Sequence, residues 1–225
     1  MLRLRTSHKK QMRRLGLISV KNVIVVMVFF ATSPYKAMAG VPPNLFGEAS
    51  LGYDISQISA SNVVPPNESA STSSFAVEAR AGYNPSIFLL GVSVAGTLGS
   101  LSYSNPTLKN GTWNKAFTYL FAGLDLGAVR FWGDYAVFDQ LRVAYSYPNY
   151  STDKIYSGGQ CWKVGVGAAL TQRIHLNAEF YSNSPNQMQN SGGTVNWSNT
   201  YSSWQETGYI FSVAYEILGS EIHSK

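Results

Sequence analysis

From residue 46 to residue 217, bulky apolar side chains recur at alternate positions in runs of about ten, and Gly, Pro, Asn and Ser punctuate the runs. Period two is the mark of a pleated strand with chemically different faces, and eight such strands can be counted. The first, 46–58, sets Ala49, Leu51, Tyr53 and Ile55 against Glu48, Ser50, Gly52, Asp54 and Ser56. The second, 74–83, opposes Phe75, Val77 and Tyr83 to Ala76, Glu78, Arg80 and Gly82, and the third, 87–99, opposes Phe88, Leu90, Val92 and Val94 to Gly91, Ser93, Ala95 and Thr97. The fourth, about 115–128, carries Phe117, Tyr119 and Phe121 on one side and Leu120, Leu124 and Leu126 on the other, so a bulge near Gly123 or Gly127 is expected. The fifth, about 135–147, opposes Leu141, Val143, Tyr145 and Tyr147 to Gln140, Arg142, Ala144 and Ser146. The sixth, 161–171, opposes Trp162, Val164, Val166 and Leu170 to Lys163, Gly165, Gly167 and Thr171. The seventh, 174–182, and the eighth, 205–217, set Ile174, Leu176, Phe180, Tyr209, Phe211, Val213 and Tyr215 against His175, Asn177, Glu179, Glu206, Gly208 and Ser212.

The connections alternate in length. Residues 59–73, 100–114, 148–160 and 183–204 read as long polar loops, whereas Asn84-Pro85-Ser86, a stretch around Gly133-Asp134, and Gln172-Arg173 read as tight turns. Long loops at one end and short turns at the other, on an even number of strands, are the layout of an all-β, eight-stranded antiparallel up-and-down transmembrane barrel. A soluble sandwich also alternates, but it turns small and charged residues outward. Here the non-bulky face combines Gly, Ala, Ser and Thr with Glu48, Asp54, Glu78, Arg80, Arg142, Lys163, Glu179 and Glu206. That mixture suits a narrow lumen in which opposite charges pair, and eight strands enclose only enough space for side chains to fill. Closure follows physically, because an open sheet edge in hydrocarbon leaves backbone polar groups without partners. Tyr53, Tyr83, Phe88, Phe131, Trp132 and Tyr135 near the short turns, and Trp113, Phe117, Tyr145, Tyr147, Trp162, Phe180, Trp204 and Tyr209 toward the loops, are expected at the two lipid-water interfaces.

Net charge is +5, but eight of the 17 Lys and Arg lie in the first 39 residues, where no acid occurs; the remaining nine face 12 Asp and Glu. A nucleic-acid partner therefore loses its basis. The same 39 residues combine a basic start, the apolar run Val23–Ala31 and the small-x-small sequence Ala37-Met38-Ala39 before Gly40. This is the arrangement of a secretory signal peptide cleaved after Ala39, leaving residues 40–225 as the barrel with a short tail; an N-terminal anchor is the alternative, against which the run is short. The single Cys161 excludes an internal disulfide framework.

The segments Lys163-Val-Gly-Val-Gly-Ala-Ala-Leu and His175-Leu-Asn-Ala-Glu-Phe-Tyr181 resemble the small outer-membrane barrels of the opacity-protein and outer-membrane-protein-A transmembrane-domain type, a resemblance covering most of residues 44–218. It implies an eight-stranded barrel in lipid and lipopolysaccharide. The last strand, with Gly208, Phe211, Val213 and Tyr215 in a polar-x-Gly-x-x-apolar-x-apolar frame, is similar to the signal read by the barrel-assembly machinery. It departs from the pattern by continuing through Leu218 to Lys225 rather than ending on an aromatic.

Some barrels of this kind are enzymes, and a nucleophilic hydrolase needs a Ser within reach of a His that an acid orients. After the leader only His175 and His223 remain, and no His-x-Ser-Asn sequence is present, so no catalytic residue is assigned. Neither metal nor cofactor is expected from one Cys, two separated His and a Ser191-Gly-Gly193 stretch in a polar segment. The inward charges read as structural ion pairs ahead of a conduction path. Loops bearing Tyr150, Tyr156, Trp197 and Tyr201 suit contacts with host molecules, phage or neighbouring cells, and equally suit solvated loops with no dedicated partner. The expectation is a structural or adhesion-like surface protein, with a narrow channel as the alternative and a lipid-modifying enzyme third.

Overall fold

A computed structural model describes residues 44–62, 68–104, 110–147, 150–190, 193–195 and 200–218. The signal-peptide residues Ala37, Ala39 and Gly40, and the segment after Leu218, lie outside the described residues.

Eleven strands form one sheet: β1 Leu45–Asn62, β2 Glu68–Tyr83, β3 Phe88–Tyr103, β4 Gly111–Asp125, β5 Val129–Tyr147, β6 Tyr150–Ser157, β7 Gln160–Ala169, β8 Ile174–Ser184, β9 Gln187–Asn190, β10 Gly193–Val195 and β11 Tyr201–Leu218. Every pairing is antiparallel, β1 pairs with β11, and β5 pairs with β7, so the sheet closes on itself. β6 and β7 run along β5 in one register, Gln140 opposite Ser157 and Tyr135 opposite Trp162; β8 and β9 likewise share a register against them. They are two wall strands, each interrupted once, and the barrel has eight staves. The interruption falls at Gly158-Gly159, both at positive φ, where Gly159 lies so close to the Ser184 carbonyl that a Cβ would collide with it. There the Asp139 carboxylate accepts the Gly158 N–H at 3.0 Å in place of the missing ladder bond.

The staves are longer than a membrane needs. About 9–11 tilted residues cross a bilayer, whereas β1 and β11 have 18 residues each. The surplus has a different character from the rest. Over the half nearer the short turns, the outer face is apolar: Leu51, Val92, Leu120, Val164, Phe211 and Val213 are among the side chains about half exposed on it. At the upper edge of this band the rings of Trp162, Phe180 and Tyr209 lie 5.4–5.6 Å apart in a row, next to Tyr135 in the register. Beyond it the faces exchange character: Gln57, Ser59, Ser71, Ser100, Ser102 and Gln205 point out, while Ile58, Ala60, Leu101, Trp113, Leu141 and Trp204 are buried inside.

Three expectations need correction here. The tight turn read around Gly133-Asp134 is at Leu126–Ala128, held by an Asp125 carboxylate that accepts the Gly127 N–H. The bulge expected near Gly123 or Gly127 lies in β5: Thr118 pairs with Phe138 and Tyr119 with Ala136, leaving Val137 as the extra residue. Much of what read as long loops is strand, since outward Ser and Gln in water look like loop sequence when inward partners are as small as Ala60 and Ala70.

Candidate functional site: an ionic lumen between two apolar plugs

Alternation places one side chain in the lumen at every second residue, and in the band these are small or charged. Glu48 of β1, Glu78 and Arg80 of β2, Arg130 and Asp134 of β5, Lys163 of β7 and Glu179 of β8 converge in one cluster, all buried. Lys163 Nζ sits 2.8 Å from Glu78, 3.1 Å from Asp134 and 3.0 Å from Glu179. Arg80 spans four carboxylates, contacting Glu48 at 3.2 Å, Glu78 at 3.1 Å, Asp134 at 3.6 Å and also Glu179. Arg130 pairs with Glu48 at 2.5 Å. A second cluster lies above: Lys115 of β4 pairs with Asp54 and, at 2.9 Å, with Glu206. The Tyr181 hydroxyl lies 2.8 Å from Asp54 and 2.9 Å from Glu206, so its one proton serves both acids, and Ser56 donates to Glu206 at 2.7 Å.

Aromatic rings complete the solvation of these cations. The Trp132 indole has the Arg80 guanidinium 4.5 Å and the Arg130 guanidinium 5.4 Å from its centroid, and its N–H donates to Glu179 at 3.0 Å. Lys115 lies 4.5 Å from the Tyr181 ring and Lys163 5.0 Å from Tyr119. Such a wide indole fits a narrow lumen only because Gly165 faces it: a Cβ there would come within 2.3 Å of the ring.

Both ends are closed by hydrocarbon. Toward the short turns, Phe46, Leu89 and Phe121 pack together, with Phe46 edge-on to Phe121 at 5.7 Å. Toward the loops, Trp113, Trp204, Tyr156, Tyr201, Met188 and Leu141 belong to one buried cluster, Tyr156 stacking on Trp204 at 5.3 Å. Between them, a cavity of about 20 Å³ bordered by Ser50, Thr97, Lys115 and Lys163 has space for one or two water molecules.

Seven of the eight sequence-predicted lumen charges, Glu48, Asp54, Glu78, Arg80, Lys163, Glu179 and Glu206, lie in this interior. Arg142 does not: its side chain is about half exposed and paired with Asp153. The extra residue Val137 inverts the parity of β5, so Leu141 and Val143 turn inward and Arg142 outward. Lys115, Arg130 and Asp134 were missed. Asp134 and Arg130 fell in or beside the misplaced turn, and Lys115 shares its face with the aromatics read as lipid-facing. Those aromatics are also corrected: Trp113, Phe117, Trp132 and Trp204 are buried within the barrel rather than at its lipid interfaces. The side chains of Tyr145, Tyr147 and Tyr150, and Trp197, are outside the described residues, and Tyr156 and Tyr201 lie in the extension core rather than in loops. His175 is inward and buried, with Glu216 as its acid neighbour at 3.6 Å. In the last strand, Gly208 packs against Tyr181 while Phe211, Val213 and Tyr215 face outward.

Glu78, Asp134 and Glu179 place carboxylate oxygens within 4.8 Å of one another, close enough to ligate a metal. The Lys163 ammonium already stands among them, so a cation would have to displace it.

The chain has the fold of the small eight-stranded outer-membrane barrels. Its structure is similar to that of Ail, the attachment invasion locus protein of Yersinia pestis, in complex with the heparin analogue sucrose octasulfate, with a TM-score of 0.54 at 11% identity over 77% of this chain and 99% of that one. A second structure of Ail gives 0.52 at 10% identity over 78% and 99%. Neisserial surface protein A gives 0.48 at 15% identity over 74% and 96%. No protein-family model matches the sequence, and no curated protein matches it significantly.

Proposed function

We propose that this protein is an integral outer-membrane barrel that acts at the cell surface, through the part of its wall that rises above the bilayer, and transports nothing through its lumen. The carrying observation is the interior: two apolar plugs enclose an ionic network whose cavities include one of about 20 Å³ beside Lys115 and Lys163 and one of about 10 Å³ beside Arg80 and Trp132. A permeating ion would have to break Arg80 and Lys163 away from several buried carboxylates at once, which costs several kcal/mol for each uncompensated charge.

Export by cleavage after Ala39 and insertion through the signal at Gly208, Phe211, Val213 and Tyr215 belong to the same reading, as does the apolar band that lipid would cover. An adhesion-like role fits the extension, a rigid platform on a packed core. Ail was crystallised with a heparin analogue, a polyanion. Among the described residues, Arg142 is the only outward Lys or Arg on the extension, and Asp153 neutralises it. The surface contact proposed for this chain is therefore with uncharged polar groups. Planar-bilayer recording with purified protein tests the reading: no unitary conductance is expected, and reproducible ohmic steps abolished by denaturing the barrel would overturn it.

A further inference from the structure

On five adjacent staves the outer surface immediately above the apolar band is a continuous field of hydroxyls and amides. Gln57 and Ser59 of β1 stand beside Ser71 and Ser69 of β2; Ser71 and Ser73 in turn stand beside Ser102 and Ser100 of β3. Thr112 of β4 continues the row from Ser100, and Gln205 of β11 continues it from Ser59. Nearly all of these side chains are exposed, and none carries a charge. The backbone beneath them is held in the closed ladder, and the inner face is packed by Ile58, Ala70, Leu101, Trp113 and Trp204. The field is a rigid array with rows about 4.8 Å apart across the strands, not a loop that adjusts.

Its position identifies what it meets. Ile55, Phe75 and Leu98 end the apolar band, and on the same outward face the next residues are Gln57, Ser73 and Ser100. One outward step along a strand is about 6.6 Å, so a lipid whose acyl chain lies against Ile55 or Phe75 presents its headgroup to this field. We propose that the field binds the uncharged sugars of the outer-leaflet glycolipid that surrounds the barrel, through hydroxyl-to-hydroxyl and hydroxyl-to-amide hydrogen bonds. This rests on the outer-membrane reading above. Phosphate is not the contact, since no outward cation stands on these five staves among the described residues; a clamp for phosphate would use Arg or Lys. Among the described residues, the outward cation bordering the field is Arg142 of β5, beside Asn114 of β4 in the register, and it is already paired with Asp153 of β6.

The test uses purified full-length protein in nanodiscs containing lipopolysaccharide with its core sugars or lipid A without them, bound lipid being counted by mass spectrometry after detergent washing. The wild type should retain the sugar-bearing lipid about fivefold better than lipid A, the scale of one or two net hydrogen bonds. The triple variant S59E/S71E/S102E should fall to the lipid A level while still shifting in gel mobility on boiling, and R142Q should keep the preference. Equal retention of both lipids by the wild type overturns the proposal, as does undiminished preference in the triple variant. A dimer cross-linked through S71C in the absence of glycolipid also overturns it, by assigning the face to a second copy. Recovery of the protein in a soluble fraction of cells would sink the location itself, independently of the nanodisc result.

Discussion

The two halves of the barrel solve the same covalent problem in opposite senses. In the band, Leu51, Val164 and Phe211 face outward and Asp54, Lys163 and Glu179 inward; in the extension, Ser59, Ser71 and Ser102 face outward and Ile58, Leu101 and Trp113 inward. The strands run through the boundary without changing partners on β1, β2 and β3, so the backbone is indifferent to which side is wet. What changes is the solvent. Hydrocarbon accepts bulky side chains on the outside and forces polar ones to satisfy each other inside, whereas water imposes the arrangement of a soluble β-protein.

The largest effect is expected from Lys163→Ala, which strips the ammonium from Glu78, Asp134 and Glu179 at once. Removing one partner of a buried ion pair costs about 3–5 kcal/mol, so urea unfolding from lipid vesicles should show a loss at or above that range across the whole barrel. Trp113→Ala should cost about 3–5 kcal/mol as a cavity, but in the extension alone. Limited proteolysis should cut the loop end while the band persists; equal loss of the band would mean the two halves are one cooperative core. Leu51→Arg places a cation between Val77 and Val213 on the outer face and should destabilise by about 2–4 kcal/mol if that face meets lipid. Ser71→Arg, higher on the neighbouring stave, should move stability by no more than about 0.5 kcal/mol. Similar values for the pair would erase the boundary. Arg142→Ala should also be small: its exposed pair with Asp153 is worth about 0–1 kcal/mol, and a loss on the Lys163 scale would return Arg142 to the lumen.

The sequence revealed the band better than the extension, for a physical reason. Between a lipid-facing Val and an inward Glu the contrast is maximal, so eight runs and seven lumen charges could be placed from parity alone. In the extension the contrast falls to Ser against Ala at Ser59-Ala60 and Ser69-Ala70, and the segment reads as loop. Parity also carries no record of a bulge: the one extra residue, Val137, reversed every later assignment on β5 and sent Arg142 to the wrong face. Strand β4 was ambiguous because both its faces are apolar, Leu120 and Leu124 for lipid and Tyr119 and Phe121 for the cations and plug within. The charge partners offered a usable signal, since Arg130-x-Trp132-x-Asp134 has the period of a lumen face once the turn is moved to Gly127.

The change of solvent along two adjacent staves, β1 and β2, is open to direct measurement. Single environment-sensitive fluorophores, attached through cysteine at positions 51, 55, 59 and 71 in a Cys161→Ser background, would be challenged in folded proteoliposomes with lipid-borne and aqueous quenchers. Positions 51 and 55 should be quenched only from the lipid and positions 59 and 71 only from water, with the crossover between Ile55 and Ser59. Aqueous quenching at all four sites, or lipid quenching at all four, would contradict the account.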